Sequence, residues 1–182
     1  MNQTLLHPNT QTLLSACERM SSIGEATSMS PQSDAHPDLL AALFVIEKTE
    51  DGLWVFRNAG QDVRKRLGRD PADHDFLEMW QGYDRIITGS IIHAVVKNAA
   101  PAILQAHAMT LSGVKTRVEI TLASLTKVNA QIRAQRLIGL YQSLDLPKSA
   151  RAHPAWKHRL DAVFPPQSHT SESHLRLVTS NT

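Results

Sequence analysis

The residues of this chain able to do chemistry are nine histidines, one cysteine and a scatter of carboxylates, and their spacing brings few of them together. Cys17 is the sole thiol, which excludes an intrachain disulfide and a cysteine-cluster zinc site. Its one basic neighbour is Arg19 and no Cys–His signature accompanies it, so it reads as a structural thiol rather than a nucleophile. Asp70, Asp73, His74 and Asp75 crowd one polar stretch. Alternate aspartates can hold a cation, but the glycine and distal glutamate of a calcium loop are missing, so a solvated acidic turn is the reading. No glycine-rich phosphate loop, Gly-x-Ser-x-Gly elbow or His-Glu-x-x-His is present. No catalytic residue, metal ligand set or cofactor is assigned, and the chain reads as a non-enzyme.

Binding is better represented. His93 lies beside the apolar stripe of a predicted helix and is either a ligand or a core-edge histidine bonded to backbone. His107 and Met109 fall in AILQAHAMT, a predicted strand. If Ile103, Gln105, His107 and Met109 form the inner face, it mixes polar and apolar groups and suits a small polar ligand. If Leu104, Ala106 and Ala108 are the core, that first face meets solvent. Both arrangements stand. Arg57 ends another strand, pointing either to a cavity or to water, and Trp80 closes the apolar FLEMW segment. Arg57, Trp80, His93, His107 and Met109 are therefore the candidate pocket residues.

The elements that must position them follow from periodicity. Leu13, Leu14, Cys17 and Met20 recur at helical spacing, and Thr10 or Thr12 can cap that helix. Residues 21–38 are rich in Ser, Pro and Asp and read as an irregular arm. LLAALFVIEK, where Phe44, Val45 and Ile46 favour a strand at its end, the Glu50-Asp51-Gly52 turn and the strand LWVFRNAG make a hairpin. QDVRKRL forms a short helix with Gly68 at its C′ position. Residues 84–98 form the longest helix of the middle, capped by Asp84, with Ile87, Ile91, Ala94 and Val95 as its core stripe. Three strands follow: AILQAHAMTL; KTRVEITLASL, with Val118, Ile120 and Leu122 opposite Arg117, Glu119 and Thr121; and RLIGLYQSL. Runs of strands split by helices indicate α+β, with one antiparallel sheet and helices on one face. Beyond 146, Pro154 opens a short basic helix with Trp156, Leu160 and Val163 or Phe164 on one side, and the rest reads as a disordered tail. The units are thus 1–38, 39–145 and 146–182.

Composition narrows the class. The chain has 182 residues, 42% hydrophobic and 5% aromatic, which allows one domain with polar ends. A formal net charge of +2 gives little reason to expect a nucleic-acid partner. No segment has the length of a membrane span or the layout of a secretory signal, so a cytoplasmic protein is expected.

The middle of the chain resembles the PAS superfamily, and more closely its small single-domain bacterial members. LFVIEKTEDGLWVFRNAG, QDVRKRLGRDPADHDFLEMW, and the long helix to Pro101 followed by three strands carry the resemblance over about residues 39–145. It implies a PAS-like five-stranded antiparallel sheet with helices on one face, to which the N-terminal amphipathic helix is added. It also implies a sensory or regulatory role through a small ligand or protein contacts, with a signalling partner protein and a homodimer formed through the N-terminal helix. Haem-binding members place the ligating histidine on or near the long helix; the end of that helix here, KNAAPAIL, has none. A ligand-free interaction scaffold is the alternative, as is weak nucleic-acid association through the basic C-terminal segment.

Overall fold

The computed structural model describes residues 6–22, 37–125, 135–145 and 154–165. Strands β1 (Leu43–Lys48) and β2 (Trp54–Ala59) are joined through the Asp51-Gly52 turn. Gly52 sits at φ 84°, a conformation open to glycine, and Thr49 N–H donates to the Leu53 carbonyl across the turn at 2.8 Å. Helix α3 (Gln61–Leu67) ends on Gly68 at φ 67°, the left-handed C′ position. A single 3-10 turn (Phe76–Met79) then leads into the long helix, numbered α4 (Gly82–Asn98). β3 (Ala102–Thr110), β4 (Lys115–Ser124) and β5 (Arg136–Ser143) complete the expected strands.

Among the described residues two helices precede the sheet: α1 (Pro8–Ser22) and α2 (Pro37–Ala42), the latter on residues expected to be arm and the start of the apolar run. Leu39 and Leu43 pack there with Leu13, Ala42 and Leu140, so the apolar run is divided between a helical turn and a strand.

The sheet has six antiparallel strands in the order β2-β1-β5-β4-β3-β6, one more than expected. The extra strand is β6 (Ala155–Phe164), which corrects the short basic helix. It pairs with β3 from Ile103↔Phe164 to Thr110↔Ala155, so the folded unit passes the boundary expected at 145. Pairing of its backbone with β3 outweighs the helical spacing of Trp156, Leu160 and Val163, because side chains 156, 158 and 160 alternate equally well with 157, 159 and 161. Its outer edge is partly protected: His158 bridges to Trp80, and Leu160 N–H donates to an Asp84 carboxylate oxygen at 3.2 Å. Asp84 was expected to cap α4; its carboxylate instead satisfies β6, and Gln81 holds the N-cap position. The tail expected beyond 165 lies outside the described residues.

The core fills the space between the inner face of the sheet and α3, the 3-10 turn and α4. Leu104, Ala106, Ala108, Val118, Ile120, Leu122, Leu137 and Tyr141 supply the sheet side. α4 contributes Thr88, Ile92 and Val95, with Ile91 partly buried against them; of the stripe expected Val95 and Ile91 face the core, whereas Ile87 is 41% exposed and Ile86 65%. The apolar residues of α4 are spread around its circumference among Asp84, Arg85, Ser90, His93 and Lys97, so no unique inward face can be read from sequence, and the rotation is set by which residues meet Leu77 and the sheet.

Gly139 marks a close approach within the sheet. A Cβ there would overlap the Phe44 ring, which lies across the strand from it. Gly139→Ala is expected to destabilise by about 2 kcal/mol through overpacking, read as a lower urea midpoint at unchanged slope. A midpoint equal to that of the parent would show that the Phe44 ring swings away freely.

Candidate functional site

Six rings crowd the core. Phe44, Phe56 and Phe76 lie 5.4–5.6 Å apart between centroids, Phe76 reaches Trp80 at 6.4 Å, and Trp80 reaches His158 at 5.4 Å. His158 meets Tyr141 edge-on at 5.6 Å, with Tyr141 Oη and His158 Nε2 2.6 Å apart. Trp80, Tyr141 and His158 are all buried.

Burial fixes the protonation of this group. It pushes the Tyr141 hydroxyl up from its ordinary pKa, so the phenol stays protonated and donates. It pushes the His158 imidazole down to about 4, with the Met79 backbone acting weakly the other way. A neutral ring that accepts at Nε2 carries its proton on Nδ1. That Nδ1 faces the Met79 backbone but finds no partner of hydrogen-bonding geometry, and Trp80 Nε1 and Thr88 Oγ1 are likewise buried without one. Unsatisfied donors in a core are costly, so this end of the core carries more polarity than packing needs.

A groove of about 510 Å³ opens beside the cluster, lined among others by Leu67, Arg69, His74, Glu78, Met79 and Trp156. Met79 stands in both the groove wall and the core.

The outer face of the sheet is divided between two environments. α1 covers one part. Glu119, fully buried on β4, accepts from His7 N at 3.1 Å, Thr10 Oγ1 at 2.7 Å and Gln105 Nε2 at 3.2 Å. Thr121 Oγ1 donates to Thr10 Oγ1 at 3.2 Å, and Leu13 is buried near Leu140. The second part stays open around His107, whose Nδ1 lies 2.5 Å from Asp161 Oδ2. A groove of about 530 Å³ runs there past Gln105, His107, Arg117, Leu144 and Asp161.

The five candidate residues do not converge. Trp80 alone joins the buried cluster. His107 and Met109 share the outer face, half-buried, while Leu104, Ala106 and Ala108 form the core, which decides between the two arrangements left open. Arg57 is exposed at the end of β2 and pairs with Asp73 at 2.6 Å and Glu47 at 3.2 Å. The Arg136 guanidinium, and Arg57 beside it, hold the Glu47 carboxyl below its ordinary range. His93 is exposed on α4. Of the acidic stretch, Asp75 caps the 3-10 turn through Leu77 N–H at 3.0 Å and pairs with Arg85 at 3.1 Å, while Asp70 turns to Arg64 at 3.6 Å. These contacts account for the carboxylates as local structure.

Sequence reasoning missed His158 and Tyr141. His158 is the buried position of β6, and Tyr141 lies in a continuously buried stretch of β5, in RLIGLYQSL, read correctly as a strand. The available signal was the period of two through Trp156, His158 and Leu160, which places a histidine on the apolar side.

Among solved structures the chain is similar to an RNA-binding light-oxygen-voltage receptor, at 18% identity and a TM-score of 0.41, over 62% of this chain and 32% of that one. The chain thus spans about a third of the length of that relative. No curated protein matches it. The family model of the PAS domain matches residues 29–142, taking in the hairpin, α3, α4 and the strands to β5. The chain therefore belongs to the PAS-domain family.

Proposed function

We propose that this PAS-domain chain, a sensory or regulatory module by family, is non-catalytic and acts in the cytoplasm through protein contacts rather than through a ligand held between sheet and helices. The observation that carries this reading is the ring-filled interior. Trp80, Tyr141, Phe44 and Phe76 are among the largest fully buried side chains, and they occupy the space that an internal ligand would need. Outside it, α4 presents Tyr83 at 82%, Ile86 at 65% and Ile87 at 41% exposure on neighbouring turns. An apolar ridge of that kind on a helix suits a partner surface better than water. A signalling partner protein is part of the same reading, and so is self-association through α1.

Native mass spectrometry of the freshly purified chain tests it. A polypeptide mass of 20.1 kDa per subunit, with no added mass and no absorbance beyond the aromatic band, is the expected result. A co-purifying metabolite of fixed mass would overturn the ligand-free interior. The same spectrum separates monomer from dimer, and a monomer at all concentrations would remove self-association.

A further inference from the structure

Register across three strands builds a cationic surface that nothing in the single-strand pattern reveals. On the outer face, β3 lies between β4 and β6. His107 stands opposite Arg117 on one side and Arg159 on the other, and Met109 stands opposite Lys115 and Lys157. Residues directly opposite on neighbouring strands share a face. The four cations therefore stand at the corners of a patch about 10 Å by 7 Å, from strand spacing and rise per residue.

This arrangement is not explained by the fold. Arg117 is held by Asp145 at 3.0 Å and His107 by Asp161 at 2.5 Å. Lys157 lies 3.7 Å from the centroid of the Trp156 ring. Lys115 and Arg159 are exposed and make no ion pair among the described residues. Clustered like charge is unfavourable for the folded state, and Lys115, Arg117 and Arg159 are exposed, so solvent reaches this part of the face, with the 530 Å³ groove running past His107 and Arg117.

We propose that this β4–β3–β6 face binds a short acidic polypeptide segment of a partner protein. It rests on the contact reading above and names the chemistry of that contact. Two features favour an acidic peptide over a nucleic acid. The one ring at its margin, Trp156, has the Lys157 ammonium over it at 3.7 Å and lines the groove beside Met79, so it offers no open platform on which bases could stack. Asp145 and Asp161 stand among the cations, so the patch has separate places for two or three carboxylates rather than a continuous track for a phosphate backbone.

Fluorescence anisotropy of the full chain with a labelled hexaglutamate peptide tests it, with hexaglutamine and a thymidine oligonucleotide of equal charge as comparisons. The glutamate peptide is expected to bind, to weaken with added salt, and to lose about tenfold in affinity in the double variant Lys115→Ser/Arg159→Ser. The double variant Lys65→Ser/Lys97→Ser removes the same charge from the helical side and is expected to bind as the parent does. Equal losses in both double variants would overturn the assignment to this face, as would absence of glutamate binding at low salt or tighter binding of the oligonucleotide. Circular dichroism of each variant separates lost binding from lost fold. A metabolite found by mass spectrometry would defeat the ligand-free interior while leaving this binding intact; failure of the peptide would leave the α4 ridge as the contact surface.

Discussion

Lowering the pH from 7 to 4 is expected to remove about 3 kcal/mol of stability through His158 alone. Its folded pKa is about 4 against an ordinary value of 6.5. Between those values the unfolded chain takes up a proton that the folded chain refuses, so stability falls as the pH falls. Above 6.5 the ring is neutral in both states and the full contribution is present; below 4 both states are protonated and nothing more is lost. Burial is the main cause, and a charged ring would also lose the Tyr141 hydroxyl, which donates to it. Glu47, whose pKa is also lowered, adds a loss of the same sign at lower pH, but it sits at an exposed ion pair and its share is small. Urea unfolding of the parent and of His158→Gln at several pH values checks this. Gln offers Tyr141 an acceptor without titrating. The variant is expected to be less stable at pH 7 and to lose about 3 kcal/mol less between pH 7 and 4. The same pH slope in both proteins would show that another group drives the acid transition.

The parts of the fold legible in the sequence were those fixed by local backbone chemistry. Asp51-Gly52 dictated a turn whatever surrounded it, and Gly68 stopped α3 because a left-handed residue was required there. KTRVEITLAS could be assigned faces because its alternation is strict, and Val118, Ile120 and Leu122 do face the core. What could not be read was set by partners distant in sequence. Ile86 and Ile87 look like core residues until the rotation of α4 is known, and that rotation depends on the sheet beneath. The residues of β6 satisfy a helical and a strand period together, and only the open edge of β3 decides between them. The five candidate residues are scattered for the same reason. His107 and Met109 were placed on one face correctly, but which face was inner depended on what packed behind it. Tyr141 and His158 meet across strands that are not neighbours, through the core rather than along the sheet.

Glu119 shows how far a correct pattern can mislead about environment. Its place on the outward face, with Arg117 and Thr121, predicts a solvated carboxylate, yet α1 covers it completely. The helix expected to stand outside the domain is thereby joined to it: Thr10 and the backbone of His7 donate to a side chain more than a hundred residues away. Glu119→Ala is expected to cost about 3 kcal/mol, because it strands the Thr10 hydroxyl, the His7 amide and the Gln105 amide against a covered surface. Glu119→Gln keeps the shape and one acceptor and is expected to cost about half as much. Hydrogen–deuterium exchange gives the readout that stability alone does not. If the carboxylate is the latch, amides of residues 10–17 lose protection in the alanine variant while those of β1 and β5 keep theirs. Uniform loss across the sheet would make Glu119 a general core residue, and unchanged protection in α1 would mean that Leu13 packed near Leu140 holds the helix without it.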